Sequence, residues 1–180
     1  MRREVGRGPA PGRAARILLR SPTADDATAF VAAVRASGRL HRPWVDPPGT
    51  RAAFLDYLQR MDAPGQHAFL VCRLDDGALV GVVNLTNVVL GAFRSGYLGY
   101  YAFSGHERQG LMREGLQAVV RHAFRTLKLR RVEANIQPAN AASIALVRAC
   151  GFAREGLSPR YLKIAGRWRD HERWALLADG

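Results

Sequence analysis

The chain has 180 residues, 48% of them hydrophobic, which is enough to bury the core of one globular domain. Its 27 Lys+Arg outweigh 15 Asp+Glu to give a net charge of +12, which fits either an anionic partner (a nucleotide, RNA, a ribosomal surface or a phosphorylated cofactor) or a solvated arginine-rich surface. No apolar run approaches the roughly 18 residues of a membrane span, and Cys72 and Cys150 make no CxxC pair; neither an apolar membrane-spanning helix nor a disulfide framework is expected, and a cytoplasmic location fits.

Residues 1–15, rich in Arg, Gly and Pro and without the apolar stretch of a signal peptide, read as a flexible basic tail ahead of a single domain over 16–180. RILLR (16–20) is a short strand. Thr23 then caps a helix from about Ala24 to Ser37, with Asp26 at its third position and Gly38 near its end. Three prolines make LHRPWVDPPG (40–49) a loop. Thr50 caps a second helix to about Met61, with Phe54, Leu55 and Leu58 on one face. HAFLVCRL and ALVGVVNLTNVV form a hairpin about DDG, where Gly77 takes positive φ. A turn at GAFRSG leads to a third consecutive strand, YLGYYAF (97–103).

From Arg108 onward, Leu116, Val119, Val120, Ala123, Phe124 and Leu127 fall on one buried helical face. RRVEANIQP is a strand stopped by Pro138. Asn140 caps a short helix, AASIALVRAC, ended by Gly151, and two final strands cover 157–164 and 168–177. A strand, helix and strand in the middle imply a parallel crossover within an otherwise antiparallel sheet. The fold class is therefore α+β, mixed and mostly antiparallel, flanked by helices.

Three constellations carry chemistry. HERQGLMREG (106–115) is a strand-to-helix turn with Gly110 in it. Its unpaired N–H groups suit either a plain helix start or a phosphate. Asn135, Asn140, Ser143, Gly151 and Phe152 form the second group, in which capping explains every polar residue but Asn135. RYLKIAGRWRDHERW (160–174) mixes aromatic and basic residues, as an exposed hairpin or a peptide- or nucleic-acid-receiving surface would. The five histidines are scattered without ligand spacing, so no metal site is expected.

Taken in order, LVGVVNLTNVVLGAF, YLGYYAF, QGLMREG, the NAAS segment, GFAREG and YLKIAGRWRDH resemble the GNAT superfamily of amine N-acetyltransferases. Within it they are most similar to the RimJ/RimL group that acetylates protein N-termini, RimJ-type alanine N-acetyltransferases above all. The resemblance spans about 16–177. It implies a splayed parallel strand pair, YLGYYAF beside RRVEANI, with acetyl-coenzyme A in the gap as cosubstrate.

It also implies backbone contacts to that coenzyme at Ala102 and Phe103, pyrophosphate contacts at Arg108, Gln109, Gly110, Leu111, Met112 and Arg113, and an approach by Asn140 and Ser143. Ser143 would give a proton to the departing thiolate, and Trp44, Asn84, Tyr161 and Trp168 would receive the acceptor. The chain departs from the family pattern in its turn, where Glu107, Arg108 and Gln109 replace the first three places of the usual QGKG or QGQG tetrad. Arg108 and Gln109 serve if their dihedrals are ordinary, and Glu107 is unfavourable beside a pyrophosphate unless it points away.

Some relatives carry an acidic residue before the tyrosine matching Tyr161, where this chain has Arg160. The base is left open: a water relayed through backbone, or through Glu133, Asn84 or His171. The implied acceptor is a protein N-terminus, ribosomal by analogy. A small-molecule amine, or a non-catalytic module binding RNA or the ribosome, stays open, as does monomer or homodimer.

Overall fold

A computed structural model describes residues 15–178, so the expected basic tail lies outside the described residues but for Ala15. Seven strands are β1 (Ile17–Arg20), β2 (His67–Arg73), β3 (Leu79–Val89), β4 (Ser95–Ala102), β5 (Arg131–Ile136), β6 (Ala153–Ile164) and β7 (Arg167–Leu177). Helices are α1 (Ala27–Ala36), α2 (Gly38–His41), α3 (Arg51–Met61), α4 (Leu111–Arg125) and α5 (Ala141–Ala149).

The strands form one sheet in the order β1-β2-β3-β4-β5-β7-β6. Neighbours are antiparallel except β4 and β5, which run parallel because α4 carries the chain across between them. This is the mixed α+β architecture expected. Pairing of β4 with β5 runs from Ser95↔Arg131 to Leu98↔Ala134 and stops there. Beyond that point β4 stays on β3 as far as Ala102↔Gly81, while β5 stays on β7 as far as Ile136↔Glu172. Each strand keeps its outer partner, and the two part company as a wedge.

Two apolar clusters cover the two faces of the sheet. One holds Leu85, Leu116, Val119, Leu129, Val132, Val147 and Trp174, and is closed by the predicted face of α4. The other holds Phe30, Phe54, Tyr57, Leu70, Val82 and Phe103, with the Phe30 and Phe54 rings 4.4 Å apart. Burial of such side chains is the main favourable term in folding.

Local differences from the expectations have physical causes. A 3-10 turn (Ala24–Asp26) precedes α1. Asp26 accepts the Thr23 N–H at 2.8 Å and meets Arg20 Nη1 and Nη2 at 2.7 and 2.6 Å; burial acts to raise its carboxyl pKa, but Arg20 and Thr23 together hold it below the usual range. Gly38 does not end helical structure: the N–H groups of Leu40 and His41 both donate to the Ser37 carbonyl, extending the chain through α2 into the expected loop. On α3 the buried face is Phe54 and Tyr57, with Leu58 packed against them, whereas Leu55 is exposed. Strand β6 begins at Ala153, four residues before its expected start at Leu157.

Candidate active site

The wedge between β4 and β5 opens into a cleft of about 360 Å³. Its walls include Trp44 beyond α2, Tyr100 to Ala102 on β4, Met112 on α4, Asn135 on β5 and Ser143 on α5. Leu162, Ile164 and His171 close it from the β6–β7 hairpin. Alternation along β4 decides which backbone groups face the gap. The Phe103 N–H donates to Val80 on β3 at 2.8 Å, so the backbone groups of Tyr100 and Ala102 point toward the side β5 has left. His41 on α2 donates from Nε2 to the Ala102 carbonyl at 2.8 Å, fixing the end of this strand.

One end of the cleft meets the turn that begins α4, through Met112. Gly110 has φ +77° and Arg108 φ +59°, so two left-handed residues curl the chain around the helix start. The first bond of the helical ladder is Glu114 N–H to the Gly110 carbonyl at 3.1 Å. The preceding N–H groups are those any helix leaves without intrahelical partners, and they carry the positive end of its dipole. The chemistry of this donor set fits a phosphate or pyrophosphate. Arg16 braces the turn from behind, donating to the Gln109 carbonyl at 3.0 Å and pairing with Glu114.

The Glu107 carboxylate accepts the N–H of Gly105 at 2.7 Å, on the arm of the turn that precedes the helix. Backbone N–H groups, its own first and then that of Gly105, hold its pKa below the ordinary carboxylate value. The dihedral at Arg108 is not ordinary; this arginine adopts the left-handed conformation that glycine takes freely.

At the centre, Asn140 caps α5 by accepting the Ser143 N–H at 3.2 Å, and Ser143 Oγ lies 2.6 Å from the Tyr100 hydroxyl. Burial pushes the Tyr100 phenol pKa up, so it stays protonated and can hand a proton along this bond. Tyr100 was not among the residues expected from the sequence. Nothing local marks it, because its meeting with Ser143 depends on α5 crossing the sheet.

Of the expected site residues, Ala102, Met112, Asn140, Ser143 and Trp44 line the cleft. Arg108, Gln109, Gly110, Leu111 and Arg113 lie at the turn, where the Leu111 side chain is buried in the core. The Tyr161 ring stands 6.0 Å from that of His171, which lines the cleft. Three expected residues lie elsewhere. The Phe103 ring belongs to the second apolar cluster and its N–H is bound to β3; Asn84 accepts a hydrogen bond from Tyr57 at 2.7 Å beyond the cleft lining; and Trp168 is 61% exposed on the hairpin. Among the described residues no group of three or more His, Cys, Asp or Glu is placed to hold a metal ion.

Residues 16–153 match the model of the acetyltransferase (GNAT) domain. The chain belongs to the GNAT acetyltransferases. It is 33% identical over 129 residues to "Probable N-acetyltransferase YjcK" of Bacillus subtilis (strain 168), 72% of this chain and 71% of that one. It is 42% identical over 102 residues to the [ribosomal protein uS5]-alanine N-acetyltransferase of Escherichia coli (strain K12), 57% of this chain and 53% of that enzyme. Mycobacterium smegmatis RimJ, solved in complex with CoA-disulfide, superposes with a TM-score of 0.83 at 29% identity, covering 90% of this chain and 82% of that one. The mixed sheet with its one parallel pair is thus the fold of this acetyltransferase family, and RimJ-like enzymes are among its relatives.

Proposed function

We propose that this GNAT acetyltransferase moves an acetyl group from acetyl-coenzyme A to the α-amino group of a protein N-terminus, with a ribosomal protein as acceptor. The observation that carries the reading is the continuity of the cleft, from Met112 in the first turn of α4, past the Tyr100–Ser143 pair, to the Trp44 and hairpin side. The E. coli relative's activity on a ribosomal protein supports the acceptor class.

The coenzyme supplies an activated acetyl thioester. Backbone N–H groups from Gln109 to Arg113 bind its pyrophosphate, and the gap-facing backbone of Tyr100 and Ala102 binds the arm that follows and polarises the thioester carbonyl. Ser143, bonded to Tyr100, donates to the departing sulfur. The acceptor enters between Trp44 and the β6–β7 hairpin, near Tyr161. An α-amino group, with a pKa of about 7.7–8.0 against about 10.4 for lysine, is already partly neutral at physiological pH and needs only a mild base.

The test incubates the protein with acetyl-coenzyme A and a panel of Ala-, Ser- and Met-starting peptides alongside polyamines and other small amines, following free thiol. Turnover of peptides is the expected result. Turnover of small amines alone, or of none, overturns the acceptor assignment.

A further inference from the structure

We propose that His171 takes the proton released by the attacking amine, with the side-chain oxygen of Asn135 holding that amine beside it. This rests on the acetyl-transfer reading above and names the base that reading leaves open. Both residues line the cleft. His171 Nδ1 is 3.0 Å from the Arg169 carbonyl, and a carbonyl only accepts, so Nδ1 carries the hydrogen. Nε2 is left with its lone pair, and it has no hydrogen-bond partner among the described residues.

Asn135 Oδ1 is buried and likewise without a partner. An acceptor buried in this way is costly unless something donates to it, and an amine does. Strand register brings the two together. Asn135 lies opposite Arg173 in the antiparallel β5–β7 pair, and His171 is two residues from Arg173 on the same face. Diagonal neighbours of this kind stand roughly 7–8 Å apart, enough for one nitrogen between their side-chain tips.

Other groups near the cleft are unsuited to the task. His41 Nε2 is committed to Ala102, and its Nδ1 is enclosed. Tyr100 and Tyr101 are phenols whose pKa burial raises, so they remain protonated. Glu133 is ion-paired with Arg131 at 2.7 Å. The Asn84 oxygen is taken by Tyr57.

The surroundings of His171 favour its neutral form. The ring of Tyr161 from β6 packs near it, and the neighbouring Asp170 carboxylate accepts the Arg160 N–H at 2.7 Å. Burial lowers the imidazole pKa, against smaller opposing effects from the Arg169 carbonyl and Asp170. In the reaction the amine nitrogen bonds to the thioester carbonyl carbon and the carbon–sulfur bond breaks, its electron pair leaving on sulfur. The proton lost by nitrogen goes to His171 Nε2, and sulfur gains one from the Ser143–Tyr100 pair. Solvent then returns the proton from His171 to that pair.

The experiment compares wild type with His171→Gln in kcat and KM against pH on an Ala-starting peptide, with coenzyme A binding measured by calorimetry. The expected result is a fall in kcat of about a hundredfold or more with coenzyme affinity unchanged, and absence from the variant of an acid limb expected for wild type below neutral pH. Unchanged kcat with the same acid limb overturns the assignment to His171 alone; failure of wild type to turn over any amine instead overturns the acetyl-transfer reading. Nitrogen NMR of wild type gives a second readout that needs neither turnover nor a stable variant. A neutral Nδ1–H tautomer at pH near 7 is expected, and an imidazolium or an Nε2–H tautomer there contradicts the proposal.

Discussion

Arg108 holds a left-handed backbone, φ +59°, a conformation that glycine adopts without steric cost. An L-residue in that region carries about 1–2 kcal/mol of steric cost. Glycine removes it but loses about 0.5–1 kcal/mol more chain entropy on folding. Arg108→Gly should therefore stabilise the protein by about 0.5–1 kcal/mol, seen as a higher urea midpoint with unchanged slope. Arg108→Ala keeps the strained backbone and should bring no gain; a destabilised Arg108→Gly would mean that the arginine side chain contributes more than the strain costs. The sequence alone marked this turn by Gly110 and by its place between strand and helix. It did not reveal the sign of φ at Arg108 or the engagement of Glu107 with Gly105, since both depend on three-dimensional closure of the loop. The place of Ser143 at the capped start of α5 was legible from Asn140 ahead of it, whereas Tyr100 and Arg16 make their contacts across the fold from distant segments.

Among the elements, α4 sets the position of the turn, and Gly115 sets how closely α4 lies on the sheet. A Cβ at Gly115 would stand 2.6 Å from Val71 Cγ2 and 2.9 Å from Cγ1 on β2. Gly115→Ala gains about 1 kcal/mol of helix propensity, yet overpacking of this kind costs about 1–3 kcal/mol. We expect net destabilisation in thermal melts together with weaker coenzyme A binding by calorimetry, because the displaced helix carries the turn with it. A variant as stable and as tight-binding as wild type would show that α4 shifts freely. Helix α4 was readable since its apolar face is long and regular. Strand β6 was only partly so: its residues are exposed or half-buried throughout, leaving no inward and outward alternation to mark its start at Ala153. The short α2 was hidden by the glycine and prolines around it, because the bonds to Ser37 that sustain it are invisible in composition.

For the molecule as a whole, the consequential feature is the parting of β4 from β5 after Leu98. The order of elements indicated a parallel pair, but the point of parting is set by each strand's outer neighbour, which no local pattern encodes. The charge of +12 was legible from the start. Its arrangement was not: carboxylates of Asp26, Glu114, Glu133, Glu155 and Glu172 are drawn into ion pairs with arginines. Histidine burial gives the molecule a pH dependence. Burial lowers the pKa values of His67, His122 and His171, the positive charge of nearby His67 adding to the effect at His122. The unfolded chain then binds more protons than the folded one, so their contribution is complete above the unfolded value of about 6.5 and is lost as pH falls through the folded values. Thermal midpoints should fall between about pH 7 and pH 5, and His122→Gln should flatten that slope. A midpoint that is constant or rises on acidification would contradict the linkage.

The reading of the cleft as a site for acetylating a protein N-terminus is tested most directly by locating the transferred acetyl group. A peptide that begins with Ala and carries an internal lysine, incubated with the protein and acetyl-coenzyme A, can be sequenced by tandem mass spectrometry. Acetyl on the N-terminal nitrogen, absent without the protein, is the predicted result. Acetyl on the lysine side chain alone, or on neither nitrogen, would contradict it.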